Sequence, residues 1–64
     1  MYHNNMREIR IAQGMTLEEL SEKTGMSVGY LSHLEIGTRN NPSISSMNKI
    51  AEALGKTVSE VFFC

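Results

Sequence analysis

The side chains in this sequence that could do covalent or metal chemistry are few: His3, His33 and Cys64. One cysteine cannot close an internal disulfide, and two histidines with one thiol at scattered positions lack metal-ligand spacing. No Ser/His/Asp or Cys/His set is arranged for nucleophilic catalysis, and no glycine-rich phosphate loop follows a strand. Glu18, Glu19 and Glu22 read as a solvated face whose charges suit the early turns of a helix, not as catalytic carboxylates. No enzyme, metal site, cofactor or small-molecule ligand is therefore expected. What remains is hydrogen-bonding chemistry: the hydroxyls of Thr16, Ser27, Tyr30 and Ser32, the imidazole of His33, and the polar group Thr38, Arg39 and Asn40.

These residues need a scaffold, and 64 residues hold only one domain, taken as 1–64. A chain this short buries only about 60% of the surface its unfolded form exposes, so every element must contribute to the core. The apolar fraction of 41% and the scattered charges describe a folding chain. No apolar run approaches the ~20 residues of a membrane span, and the N-terminus lacks signal-peptide pattern, so a cytoplasmic protein is expected. The net charge of −1 is awkward for a nucleic-acid binder, which gains affinity by neutralising phosphates. The local field of one face matters more than the total, and dimerisation doubles a modest set of contacts.

Glycine and hydroxyl residues divide the chain into five helical segments. Gly14 closes a first segment that begins near Asn4 or Asn5 and turns Met6, Ile9 and Gln13 to one face. Thr16-Leu17-Glu18-Glu19 fits a capping box and opens a second segment that runs to about Thr24, with Leu17 and Leu20 as anchors. Gly25 supplies the left-handed residue of a tight turn, and Ser27 caps a third segment from Val28 to about Ile36, which stops at Gly37. After the polar loop 38–42, Ser43 caps a fourth helix whose Ile44, Met47, Ile50, Ala51 and Leu54 form an apolar stripe ending at Gly55. Thr57-Val58-Ser59-Glu60 is a second capping box, and Val58, Val61 and Phe62 can close the core. The methionines read as core fillers. The fold class expected is all-α.

Two short helices joined by a glycine-containing turn and supported by others make a helix-turn-helix, whose second helix can enter the major groove of DNA. The order and spacing of Gly14-Met15-Thr16-Leu17-Glu18-Glu19-Leu20, Gly25-Met26-Ser27, Tyr30 to Gly37, Asn41-Pro42-Ser43-Ile44 and Ile50 to Gly55 resemble the Cro/phage-repressor family, also called Xre-like. The resemblance runs from about Met6 to Phe62. It implies a compact five-helix repressor-like domain that binds two-fold-related operator DNA as a dimer, with its reading helix at Val28 to Ile36. Since Leu31 and Leu34 must face the core, Gly29, Ser32 and His33 project outward, with Val28 and Ile36 at the margins. Val28 could pack on a thymine methyl, Gly29 would let the backbone come close, and Ser32 and His33 offer hydrogen bonds. Phosphate contacts are expected from the helix starts at Thr16, Leu17 and Ser27, from the Tyr30 hydroxyl, and from Thr38, Arg39 and Asn40. No bidentate side chain stands on this helix, so its direct readout is thin.

Two further expectations concern assembly. Arg10 and Glu35 are expected to form a buried or partly buried ion pair between the first helix and the reading helix, a pairing the resemblance also implies. Val58, Val61, Phe62 and Phe63 crowd the C-terminal segment, so a homodimer contact is expected there, because so short a helix directs only part of its surface to one core. An alternative for that end is that Phe63 and Cys64 pack on further residues of a longer protein. The alternative function is a protein-interaction module, antitoxin-like or anti-repressor, that keeps the fold with little DNA affinity.

Overall fold

The computed structural model describes residues 4–37 and 42–63, among which the chain forms α1 (Met6–Ala12), α2 (Leu17–Thr24), α3 (Val28–Ile36), α4 (Ile44–Leu54) and α5 (Val58–Phe62). No strand occurs among the described residues. Hydroxyl caps decide where four of these helices begin. Thr16, Ser27, Ser43 and Thr57 sit in extended backbone, and their side-chain oxygens accept the N–H of Glu19, Tyr30, Ser46 and Glu60. At Thr16 and Thr57 the box is completed by Glu19 and Glu60, whose carboxylates accept the cap residue's own N–H at 2.8 Å. A cap of this kind satisfies N–H groups that a helix start leaves orphaned and contributes about 1 kcal/mol.

The turn from α2 to α3 is made by Gly25 at φ 75°, a left-handed conformation that a Cβ penalises. Side chains brace it: Thr24 Oγ1 accepts the Met26 N–H at 3.2 Å, and Ser21 Oγ donates to the Met26 carbonyl. α2 packs on α3 and α4, and α5 packs on α4 and α1. Met6, Leu20, Leu31, Leu34, Ile50, Ala51, Leu54, Val61 and Phe62 are buried together, so each helix supplies at least one core residue. Met15, Met26 and Met47 pack half-buried against this cluster.

α1 is held in a different way. Its N-cap, Asn5, makes no side-chain cap, and the Met6 N–H is accepted instead by Asn4 Oδ1 at 2.9 Å. Asn4 Nδ2 donates to the Leu34 carbonyl at 2.9 Å, and Asn5 Nδ2 to the Glu60 carbonyl at 3.0 Å. The Asn5 backbone N–H reaches the Val61 carbonyl at 2.8 Å, and Gln13 Nε2 the Leu54 carbonyl at 2.7 Å. Each of these carbonyls lies in the last turn of α3, α5 or α4, where the helix has no N–H left to offer. The two ends of α1 thus close the ends of three other helices.

Two sequence expectations are corrected by the packing. Ile44 was expected in the apolar stripe of α4, yet it is 74% exposed, because as the first residue of the helix it lies beyond the core cluster. Val61 and Phe62 were expected at a dimer contact, yet both are buried, at 0% and 5% exposure, because the apolar side of α5 is used up against the core. Of that group only Phe63, at 69% exposure, stands out to solvent, and Val58 is half-buried.

Candidate nucleic-acid interface

The outward side of α3 is defined by what its inward side must do. Leu31 and Leu34 are fully buried, which turns Gly29, Ser32, His33 and Ile36 to the opposite side, at the i, i+3, i+4, i+7 spacing of one helical face. Gly29 and His33 are exposed, Ser32 is half-buried, and Ile36 is 61% exposed. Sequence reasoning placed Ile36 only at the margin; the signal that could have found it is its seven-residue offset from Gly29. Val28 and Tyr30 are half-buried at the flanks of the face, and Tyr30 packs against the core cluster.

Gly29 is the unusual member. It is helical, its φ is not left-handed, and a Cβ built on it would meet no atom within 4 Å. Nothing within the described residues requires a glycine there, although glycine in a helix interior is destabilising by about 0.5–1 kcal/mol relative to alanine. The absent side chain leaves the α3 backbone open to close approach from outside.

Electrostatics on this face depend on a residue that is not part of it. Glu35 is the only Asp, Glu, Lys or Arg of α3, and its side chain is 3% exposed. Arg10 Nε lies 2.8 Å from Glu35 Oε2 and Nη2 lies 3.2 Å from Oε1, while Nη1 donates to the Met15 carbonyl at 2.7 Å. The hydrogen bond to Glu35, with its negative charge, holds Arg10 protonated even more firmly than an ordinary arginine. The carboxylate of α3 is thereby compensated inside the protein, and the outward face presents no negative side chain to an approaching polyanion.

Thr16 and Leu17 at the start of α2, and Ser27 at the start of α3, lie at helix N-termini, where backbone N–H groups and the dipole favour an anion. The hydroxyls of Thr16 and Ser27 serve as helix caps. Thr38, Arg39 and Asn40, expected to meet phosphate, and Cys64 lie outside the described residues. Among the described residues no cluster of His, Cys, Asp and Glu could hold a metal ion, and no helix is long and apolar enough to cross a membrane. Sequence reasoning placed Asn4 and Asn5 at a helix start and Gln13 on the face of Met6 and Ile9, and missed their carbonyl partners, which lie 30, 55 and 41 positions away.

A helix-turn-helix built from α2 and α3, with the second helix exposed along one face, is the architecture these elements define. The chain belongs to the Cro/phage-repressor (Xre-like) helix-turn-helix family, whose model matches residues 6–61. Its similarity extends to an uncharacterised HTH-type transcriptional regulator, y4dJ, of Sinorhizobium fredii, which is 40% identical over 52 residues, covering 81% of this chain and 66% of the relative. The restriction-modification controller protein C.AhdI of Aeromonas hydrophila has a similar structure, with a TM-score of 0.82 at 34% identity over 88% of this chain and 83% of that one. SinR of Bacillus subtilis, an HTH-type transcriptional regulator, is 34% identical over 58 residues, 91% of this chain and 52% of SinR. A crystal structure of the biofilm regulator SinR in complex with DNA aligns with a TM-score of 0.80 at 35% identity, over 84% of this chain and 86% of that one. The chain thus spans about half to two thirds of the length of these two curated relatives.

Proposed function

We propose that this domain is a sequence-specific double-stranded DNA-binding transcriptional regulator, a repressor that lays α3 in the major groove of a two-fold-related operator. The observation that carries the reading is the likeness to DNA-bound SinR, together with a face of α3 that is exposed and free of negative side chains. Gly29, Ser32 and His33 meet base edges, with Val28 against a thymine methyl and Ile36 against sugar. The starts of α2 and α3, at Thr16, Leu17 and Ser27, hold phosphates, with Tyr30, Thr38, Arg39 and Asn40 completing the backbone contacts. A homodimer joined through Phe63 and Val58 would present two reading helices roughly 34 Å apart, one turn of the duplex. That pairing recovers affinity which a single domain of net charge −1 lacks.

The test is selection of bound duplexes from a random pool, followed by mobility shifts across a salt series. Enrichment of a two-fold-related sequence, bound more weakly as salt rises, supports the reading. A chain that enriches no sequence, and whose complexes are insensitive to salt, would favour the protein-interaction module instead.

A further inference from the structure

We infer that Asn4 is a positioning residue for the reading helix, holding the C-terminal turn of α3 in the place where its outward side chains meet DNA. The inference rests on the DNA-binding reading and adds a residue that touches no DNA in it. Asn4 is only 7% exposed, and its amide group is used at both ends: Oδ1 accepts the Met6 N–H and Nδ2 donates to the Leu34 carbonyl, each at 2.9 Å. At the end of α3, Gly37 N–H satisfies the His33 carbonyl, and the Leu34 carbonyl beside it takes its donor from Asn4. α3 has nine residues, of which His33 and Ile36 on the outward face belong to this last turn. A turn that frays or tilts would move half of the reading surface.

The neighbouring residue extends the link. Asn5 donates through its backbone to the Val61 carbonyl and through its side chain to the Glu60 carbonyl, so consecutive residues tie the end of α3 to the end of α5. Asn4 therefore fixes the reading helix relative to the segment that ends in the exposed Phe63. Base-edge contacts demand placement to a fraction of an ångström, which second residues behind the contacting ones supply. A buried carbonyl also resists losing its donor, since an unsatisfied group in the interior is penalised.

The matched comparison is Gln13, whose side chain makes the same kind of bond to the Leu54 carbonyl at the end of α4, a helix to which no reading residue is assigned. Asn4→Ser keeps an oxygen near the Met6 N–H but is too short to reach Leu34, and Asn4→Asp keeps the acceptor while removing the donor. Each variant and Gln13→Ala are compared with the parent chain, at a temperature where all give full helical circular dichroism. Two quantities are read: amide hydrogen exchange over Glu35 to Gly37, and the affinity for a selected duplex relative to a scrambled one. Both Asn4 variants are expected to speed exchange in that turn and to lower the affinity ratio about fivefold, the factor one net hydrogen bond is worth. Gln13→Ala is expected to lower the melting temperature while leaving the ratio unchanged. Unaltered exchange at Glu35 to Gly37 in both Asn4 variants overturns the inference whether or not DNA is bound. An affinity ratio that falls equally in Gln13→Ala overturns it too, by reducing Asn4 to a stability residue. A parent chain that selects no duplex overturns the DNA-binding reading itself, a failure visible before any variant is made.

Discussion

Arg10 grips Glu35 with two parallel donors, Nε at 2.8 Å and Nη2 at 3.2 Å, and spends its third on the Met15 carbonyl. One side chain thereby joins α1, the turn into α2, and α3. With side chains 11% and 3% exposed, both charges are largely shielded from water. Arg10→Met should cost ~3–5 kcal/mol of stability, because it strands the Glu35 carboxylate in the interior. Replacing both residues, Arg10→Met with Glu35→Leu, should restore much of that loss, since no unpaired charge remains. Urea denaturation measures both variants, and an Arg10→Met midpoint equal to that of the parent would show the pair to be energetically idle.

Gly29→Ala is expected to separate stability from binding. The new methyl meets open space and removes backbone freedom from the unfolded chain, so the domain should gain up to ~1 kcal/mol. DNA affinity should fall, because the methyl occupies the approach to the α3 backbone, and Gly29→Glu should abolish binding with the helical spectrum intact. Thermal melts and mobility shifts on the same samples check this. Parent-like binding by both variants would move the DNA face away from Gly29.

Acid should loosen α5 before α4. Hydrogen bonds from the Thr57 N–H and hydroxyl hold the Glu60 carboxyl below its ordinary value. A depressed folded-state value contributes stability that is present above the unfolded value, about 4.3, and is lost as pH falls through the folded one. Exchange of the α5 amides should therefore rise as pH falls below the unfolded value, while those of α4, whose Ser43 cap has no carboxylate partner, stay protected. Glu60→Gln, which cannot titrate, should show no such onset; an identical acid profile in the variant would count against the capping box as its source.

Phe63 is the exposed aromatic of the C-terminal segment, so Phe63→Ser should weaken self-association without altering the core. Sedimentation at micromolar concentration should give a dimer for the parent and a monomer for the variant. A parent chain that sediments as a monomer, indistinguishable from the variant, would remove Phe63 from any dimer contact. By contrast Phe62→Ala, one residue away, should destabilise the fold by ~3–5 kcal/mol, because it empties a buried site.

Short-range contacts set where four of the helices begin and where three of them end. The caps Thr16, Ser27, Ser43 and Thr57 act on residues three positions along, and Gly25, Gly37 and Gly55 end helices through their own backbone, so the whole cause lies within one turn of chain. The inward side of α3 was legible for the same reason, since Leu31 and Leu34 sit three apart on a helix of known period. Which residues join one element to another depends on long-range packing. Asn4 and Asn5 look like helix-start residues and Gln13 like part of the face it shares with Met6 and Ile9; what assigns them to the ends of α3, α5 and α4 is the arrival of carbonyls 30 to 55 positions distant. The same holds at the C-terminus, where Phe62 and Phe63 are the same residue type. One step along a helix turns a side chain by about 100°, so only the docking of α5 on α1 and α4 selects Phe62 for the core and leaves Phe63 to solvent.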